Sequence, residues 1–114
     1  GAYGMIMSKL TESVIEALQE DIVSYWELQQ LAGDISGRVT DFDGQKAALR
    51  ELLNAGVRVG EAFNEGGSYV RFVAWRGDID ERIERMERTL KSVPKQDQGF
   101  AVWFCLEEKV DEYE

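Results

Sequence analysis

From Leu10 to about Leu31, apolar residues return at three- and four-residue steps: Leu10, Val14, Leu18, Ile22 and Tyr25. That is the spacing of one helical face and predicts a first long helix, with Ile15 and Trp26 widening the stripe. Glu12, Glu16, Glu20, Asp21 and Glu27 fall largely on other faces. Ser8, Thr11 and Ser13, the last with Glu16 at capping-box spacing, are alternative starts, and Gly33 is the expected end.

The segment TDFDGQKAALRELLNAG predicts a second helix. Thr40 and Asp43 have capping-box spacing, and Asp41 suits the positive helix start. Phe42, Leu49, Leu52 and Leu53 make its apolar stripe, and Asn54-Ala55-Gly56 supplies a left-handed stop. Between the two helices, Ile35 and Val39 either cover the core from a connection or mark a short extra helical turn.

Val57, Val59 and Phe63 predict a strand, Asn64-Glu65-Gly66-Gly67 a hairpin turn, and Tyr69, Val70, Phe72 and Val73 the returning strand. Asp78 with Glu81 then forms a strong cap for a third helix striped by Ile79, Ile83, Met86 and Leu90. Glu81–Arg85, Glu84–Arg88 and Glu87–Lys91 stand in the favourable order for ion pairs along that helix. Val93-Pro94 stops it, and KQDQG reads as a polar link. FAVWFCL is apolar on both faces, as in a covered central strand. The ending EEKVDEYE either frays or continues that strand.

The order α, α, β, β, α, β predicts an α+β domain that is winged-helix-like: two N-terminal helices, a β-hairpin, a third helix and a final strand completing a three-stranded antiparallel sheet. The expected division is residues 1 to 9 as a cloning remnant and flexible start, with Met5 or Met7 a native beginning, residues 10 to 107 as the domain, and residues 108 to 114 as an acidic tail. A chain of 114 residues with 44% hydrophobic content fits one core. Apolar runs of a few residues fall far short of a membrane span. The lone Cys105 allows no internal disulfide, which fits a cytoplasmic setting.

Charge changes the picture more than composition does. The net charge is −9, with six acids against two bases in residues 1 to 40 and five against one in residues 100 to 114. Residues 76 to 99 are balanced at six and six. A chain so negative repels phosphate backbones and attracts a basic protein.

Little in the sequence points to catalysis. There is no histidine, which removes the commonest general base and transition-metal ligand. Cys105 therefore lacks a histidine partner and reads as a structural buried thiol. Glu16 with Glu20 reads as a solvated helix face, and Asp41, Asp43 and Asp78 as helix-start residues. The DFDG string resembles the opening of a calcium loop, but the twelfth position from Asp41 is Leu52, not a bidentate acid. The glycines of GEAFNEGGS lack the lysine and following helix of a phosphate loop. Arg58, Arg71 and Arg76, interleaved with Tyr69 and Trp75, form a weak nucleic-acid motif set against surface pairing with acids. The expected enzyme class is none, and no cofactor or metal is expected.

LRELLNAGVRVGEAF, the hairpin ending near Trp75, DIDERIER and FAVWF together resemble small uncharacterised bacterial proteins with a winged-helix-like plan, over roughly residues 10 to 107. The resemblance implies topology and no functional residue; some small acidic proteins of this general kind are immunity proteins. The expected function is thus a noncatalytic module, an immunity or antitoxin-like protein blocking a basic partner. Its expected contact residues are Glu16, Glu20, Asp21, Asp41, Asp43 and a partly exposed Trp75. The alternative is a winged-helix transcription regulator, weakened by the acids beside Lys46 and Arg50 and by Glu61 and Glu65 on the wing. The final strand leaves pairing with a second copy open.

Overall fold

A computed structural model of the chain describes residues 8–37, 41–64 and 70–113. The expectations for residues 1 to 7, Val39 and Thr40, Tyr69 and the Glu65 to Gly67 turn lie outside those residues. Ser8 caps helix α1, Lys9–Leu18, its Oγ accepting from the Thr11 N–H at 3.2 Å. The same Oγ donates to the Glu51 carboxylate at 2.6 Å, and the Thr11 hydroxyl donates to that carboxylate as well. Ser8 and Lys9 therefore open the first helix, and Ser8 and Thr11 tie it to the third.

The single long N-terminal helix is not what forms. α1 stops at Leu18, strand β1 occupies Val23–Ser24, and α2 runs Tyr25–Ser36. Asp21 accepts from the Ile22 N–H at 2.7 Å, taking a donor that a continuing helix would use. Ser24 restarts the helix by accepting from the Glu27 N–H at 3.2 Å. The Tyr25 N–H donates to the Val102 carbonyl at 2.9 Å, which holds this break against the far end of the chain. Gly33 lies inside α2, which ends instead at Gly37 with φ 77°. Ile35 belongs to that extra length of helix and stays exposed.

Helix α3, Phe42–Asn54, is capped by Asp41, which accepts from the Gly44 N–H at 2.9 Å. Gly56, at φ 97°, turns the chain into β2, Val57–Asn64. Strand β3, Val70–Ala74, returns against it. Helix α4, Ile79–Ser92, opens with the expected capping box between Asp78 and Glu81. The polar link is a 3-10 helix over Lys95–Phe100, so the closing strand β4 is only Trp103–Leu106. Residues Glu107–Lys109 form another 3-10 turn and Val110–Tyr113 a final helical turn, α5. Up to Tyr113 the ending neither frays nor prolongs the strand, because Val110 is buried and Tyr113 donates its hydroxyl to Asp21 at 3.2 Å.

The result is α+β with a four-stranded antiparallel sheet in the order β1-β4-β2-β3, one strand more than expected. Alternation along the strands divides the core in two. Phe104 and Leu106 of β4, with Val57 and Val59 of β2, meet Val14 and Leu18 of α1, Leu49 and Leu52 of α3, and Met86 and Leu90 of α4. Cys105 and Phe72 face the other way and meet Ile22 and Val110, with Trp103 and Tyr113 alongside. β4 is the covered strand its composition implied, paired along its length with β2 on one edge and at Trp103 and Phe104 with β1 on the other.

Candidate functional site

The predicted contact residues do not form one surface. Glu16 and Glu20 are exposed on and just beyond α1 and line a shallow hollow of about 280 Å³ with Ser13, Ala17 and Leu31. Asp21 is exposed but engaged by Ile22 and Tyr113. Asp41 is the α3 cap at another hollow, and Asp43 pairs with Lys46 at 3.1 Å. Trp75 is not an exposed anchor: its side chain is 3% exposed, with the Arg85 guanidinium 4.3 Å from its ring centroid. Its place at the end of β3, held by its own N–H to the Val59 carbonyl at 2.9 Å, turns the indole into the core.

The exposed aromatics are others. Trp26 is 52% exposed and Phe100 60%. Trp26 stands in the first turn of α2 beside Gly99, where an added Cβ would lie 2.8 Å from the Trp26 Cβ. Phe100 follows Gly99 and stacks, tilted, at 6.1 Å on Trp103. Beside Trp26 opens a hollow of about 580 Å³ walled by Phe42, Leu90, Lys95 and Gly99. Tyr25, also in its lining, donates to Gln45 at 3.1 Å, and Gln45 exchanges hydrogen bonds with Gln29. Burial pushes the Tyr25 hydroxyl up to about 12, so it acts as a neutral donor. One unbroken helix would put Trp26 on the face of Leu18 and Ile22. The break re-aims it outward, and the S-Y-W-E cap at Ser24 to Glu27 was the signal that could have shown this.

Charge is arranged just as unevenly. Glu12, Glu16, Glu20, Asp21, Glu27 and Asp34 are all exposed, and no base stands between Leu10 and Gly37. None of the six carboxylates is in an ion pair among the described residues. On α3 and α4 the cations other than Arg82 are taken up: Lys46 by Asp43 and by Glu87 at 3.5 Å, Arg50 by Asp80 at 2.5 Å, Arg88 by Glu84 at 3.2 Å and Lys91 by Glu87 at 3.3 Å. Glu81 caps the backbone of Asp78, so Arg85 reaches Glu61 at 3.9 Å rather than its expected partner. Hydrogen bonding to Asp43 raises Lys46 above its ordinary range.

Other groups with chemical potential are structural. Hydrogen bonds from Ser8 and then Thr11 hold the Glu51 carboxyl below its usual range. Cys105 is buried and its thiol is pushed up from 9.0 to about 11, chiefly by desolvation. At pH 8 a thiol so shifted is ionised in only about one molecule in a thousand, and the thiolate is the nucleophile. A disulfide reagent should therefore leave Cys105 unmodified in the folded protein and react within minutes once denaturant is added; rapid native labelling would contradict its burial.

No group of three or more potential ligands, among His, Cys, Asp and Glu, converges among the described residues. Nor, among them, is any helix long and apolar enough to cross a membrane. No protein-family pattern, curated protein or solved structure matches the chain.

Proposed function

We propose that the chain is a noncatalytic protein-binding module that takes a basic protein partner, most concretely a cytoplasmic immunity or antitoxin-like protein acting by occlusion. The observation that carries this reading is the α1 to α2 segment: six exposed carboxylates, none in an ion pair among the described residues, with the exposed indole of Trp26 on the same segment. Carboxylates without partners steer a cationic surface towards them and speed association. Large aromatic side chains in a desolvated centre supply most of an interface's affinity. Trp26 thus takes the anchoring role that Trp75, being buried, cannot.

The winged-helix regulator remains the second reading because α3 leads directly into the β2–β3 hairpin, the helix-to-wing step of that plan. β4 departs from it by lying between β1 and β2. Helix α3, which would enter the major groove, carries Lys46 and Arg50 already neutralised by Asp43, Glu87 and Asp80. Phosphate contact would first have to break those pairs.

The test is cross-linking and co-purification from the native host, followed by binding of the recovered partner to variants. A basic partner is expected. Trp26→Ala should weaken binding about thirtyfold, the loss of one hot spot. Glu16→Lys with Glu20→Lys should slow association and reduce its salt dependence. A partner without excess positive charge, or unaltered binding by both variants, would overturn the reading.

A further inference from the structure

The strongest positive feature of this acidic chain lies away from the α1 to α2 surface. Arg58 on β2, Arg76 after β3 and Arg82 on α4 line one hollow of about 390 Å³, with Leu53, Gly56, Gly77 and Glu107 completing it. Three guanidinium groups face one carboxylate there, and that carboxylate is no strong partner: the Glu107 oxygen is 3.8 Å from Arg58 and its side chain is 69% exposed. The Asp78 and Glu81 carboxylates nearby are committed to each other's backbone in the α4 cap.

The guanidinium donors are largely unused. Arg58 reaches the Trp75 carbonyl only at 3.4 Å, and its Nε is buried with no hydrogen-bond partner. Arg82 uses its Nε on the Asp78 carbonyl at 3.3 Å, and its paired Nη groups have no acceptor among the described residues. Arg76 is exposed and makes no hydrogen bond or ion pair among the described residues. Burial, and then the charge of Arg58, press the protonation of Arg82 downward. On α3 and α4, Lys46, Arg50, Arg85, Arg88 and Lys91 each stand against an acid, so the like charges left together here contrast with their neighbours, and a bound anion would relieve them.

We propose that this hollow is an oxyanion site for a phosphate dianion, free or carried as a monoester on a small molecule. A tetrahedral phosphate has oxygens pointing in several directions and can accept from three separate guanidinium forks, whereas one planar carboxylate is satisfied by a single fork. Among the described residues no aromatic ring lines the hollow, so a nucleobase would find nothing to stack on, and the phosphate itself supplies the recognition. Its volume falls within the range of small-molecule sites. The site is independent of the partner-binding reading, because it selects the opposite charge on another part of the fold.

Titration of the full chain with inorganic phosphate, followed by amide NMR at Gly56 and Gly77, tests this against sodium chloride at matched ionic strength. Saturable shifts are expected with phosphate and not with chloride. Arg76→Ala, which removes no hydrogen bond or ion pair among the described residues, should weaken binding about tenfold, as should Arg82→Ala. O-phosphoserine run in parallel distinguishes the sources: tighter binding than inorganic phosphate assigns an esterified ligand, equal or weaker binding the free ion. Shifts that never saturate, that chloride reproduces, or that persist unchanged in Arg76→Ala would overturn the proposal.

Discussion

Gly60→Ala is expected to destabilise the protein by about 3 kcal/mol or more, the upper part of the range for atoms forced into filled space. A Cβ at this position would lie 2.0 Å from the Val73 carbonyl oxygen and 2.9 Å from the Ala74 Cα. Those are backbone atoms, so no side-chain rotation relieves the overlap. Gly60 cannot retreat either, because it is paired on one side with Ala74 of β3 and on the other with Trp103 of β4. The cheapest escape is separation of β3 from β2, which exposes Phe72 and the core face behind it. For a domain of this size, about 3 kcal/mol lowers the melting temperature by roughly 12 °C. Gly37→Ala is the informative comparison: nothing lies within 4 Å of its added Cβ, but its φ is 77°. Its cost should be only the left-handed backbone strain, about 1 kcal/mol. Thermal unfolding followed by circular dichroism ranks the two. Equal melting temperatures for Gly60→Ala and the parent would mean that β2 and β3 do not meet in this register.

Whether an element was legible in the sequence depended on where its determinants lie. α3 and α4 are specified locally: Asp41 and Asp78 cap them, and Ile83, Met86 and Leu90 repeat on one buried face of α4. The end of α3 was equally plain, since Gly56 takes the positive φ that its position after Asn54 and Ala55 suggested. The break in the first helix was hidden because the apolar spacing continues through Ile22 and Tyr25. What decides against continuity is the pairing of Val23 with Phe104, a contact far along the chain that helical periodicity cannot register. That one strand also accounts for the inverted roles of the tryptophans, with Trp26 turned out and Trp75 turned in. Acidity of the N-terminal segment could be read directly, because charged side chains stay at the surface unless paired. The arginine hollow could be read only in part. Arg58 and Arg76 stood out beside the hairpin, but Arg82 was concealed among the alternating acids and bases of α4, and Arg71 lies outside the group.

Phe104→Ala should be the most damaging side-chain truncation, at about 3 to 5 kcal/mol, the range for removing a buried phenyl ring and leaving its cavity. Phe104 is fully buried in the central strand, opposite Val23 on one neighbour and Val59 on the other. It belongs to the core that collects Val14 and Leu18 from α1, Leu49 and Leu52 from α3, and Met86 from α4. These groups come from separate elements already held by hydrogen-bonded strands, so the site cannot collapse to fill the space. The loss is a large part of the roughly 5 to 15 kcal/mol that stabilises an ordinary domain. Urea unfolding should show a much lower midpoint with an unchanged slope, since the surface exposed on unfolding is nearly the same. Binding gives a second readout that Trp26→Ala inverts. At a temperature where Phe104→Ala remains folded, its affinity for a partner on the α1 to α2 surface should match the parent, because the ring lies beneath the helices and contributes nothing to their outer face. Trp26→Ala should instead bind poorly while unfolding almost as the parent does. A loss below about 1.5 kcal/mol for Phe104→Ala would remove β4 from the centre of the core. Weakened binding by folded Phe104→Ala would show that the surface depends on core packing, and would dissociate the partner site from the exposed indole alone.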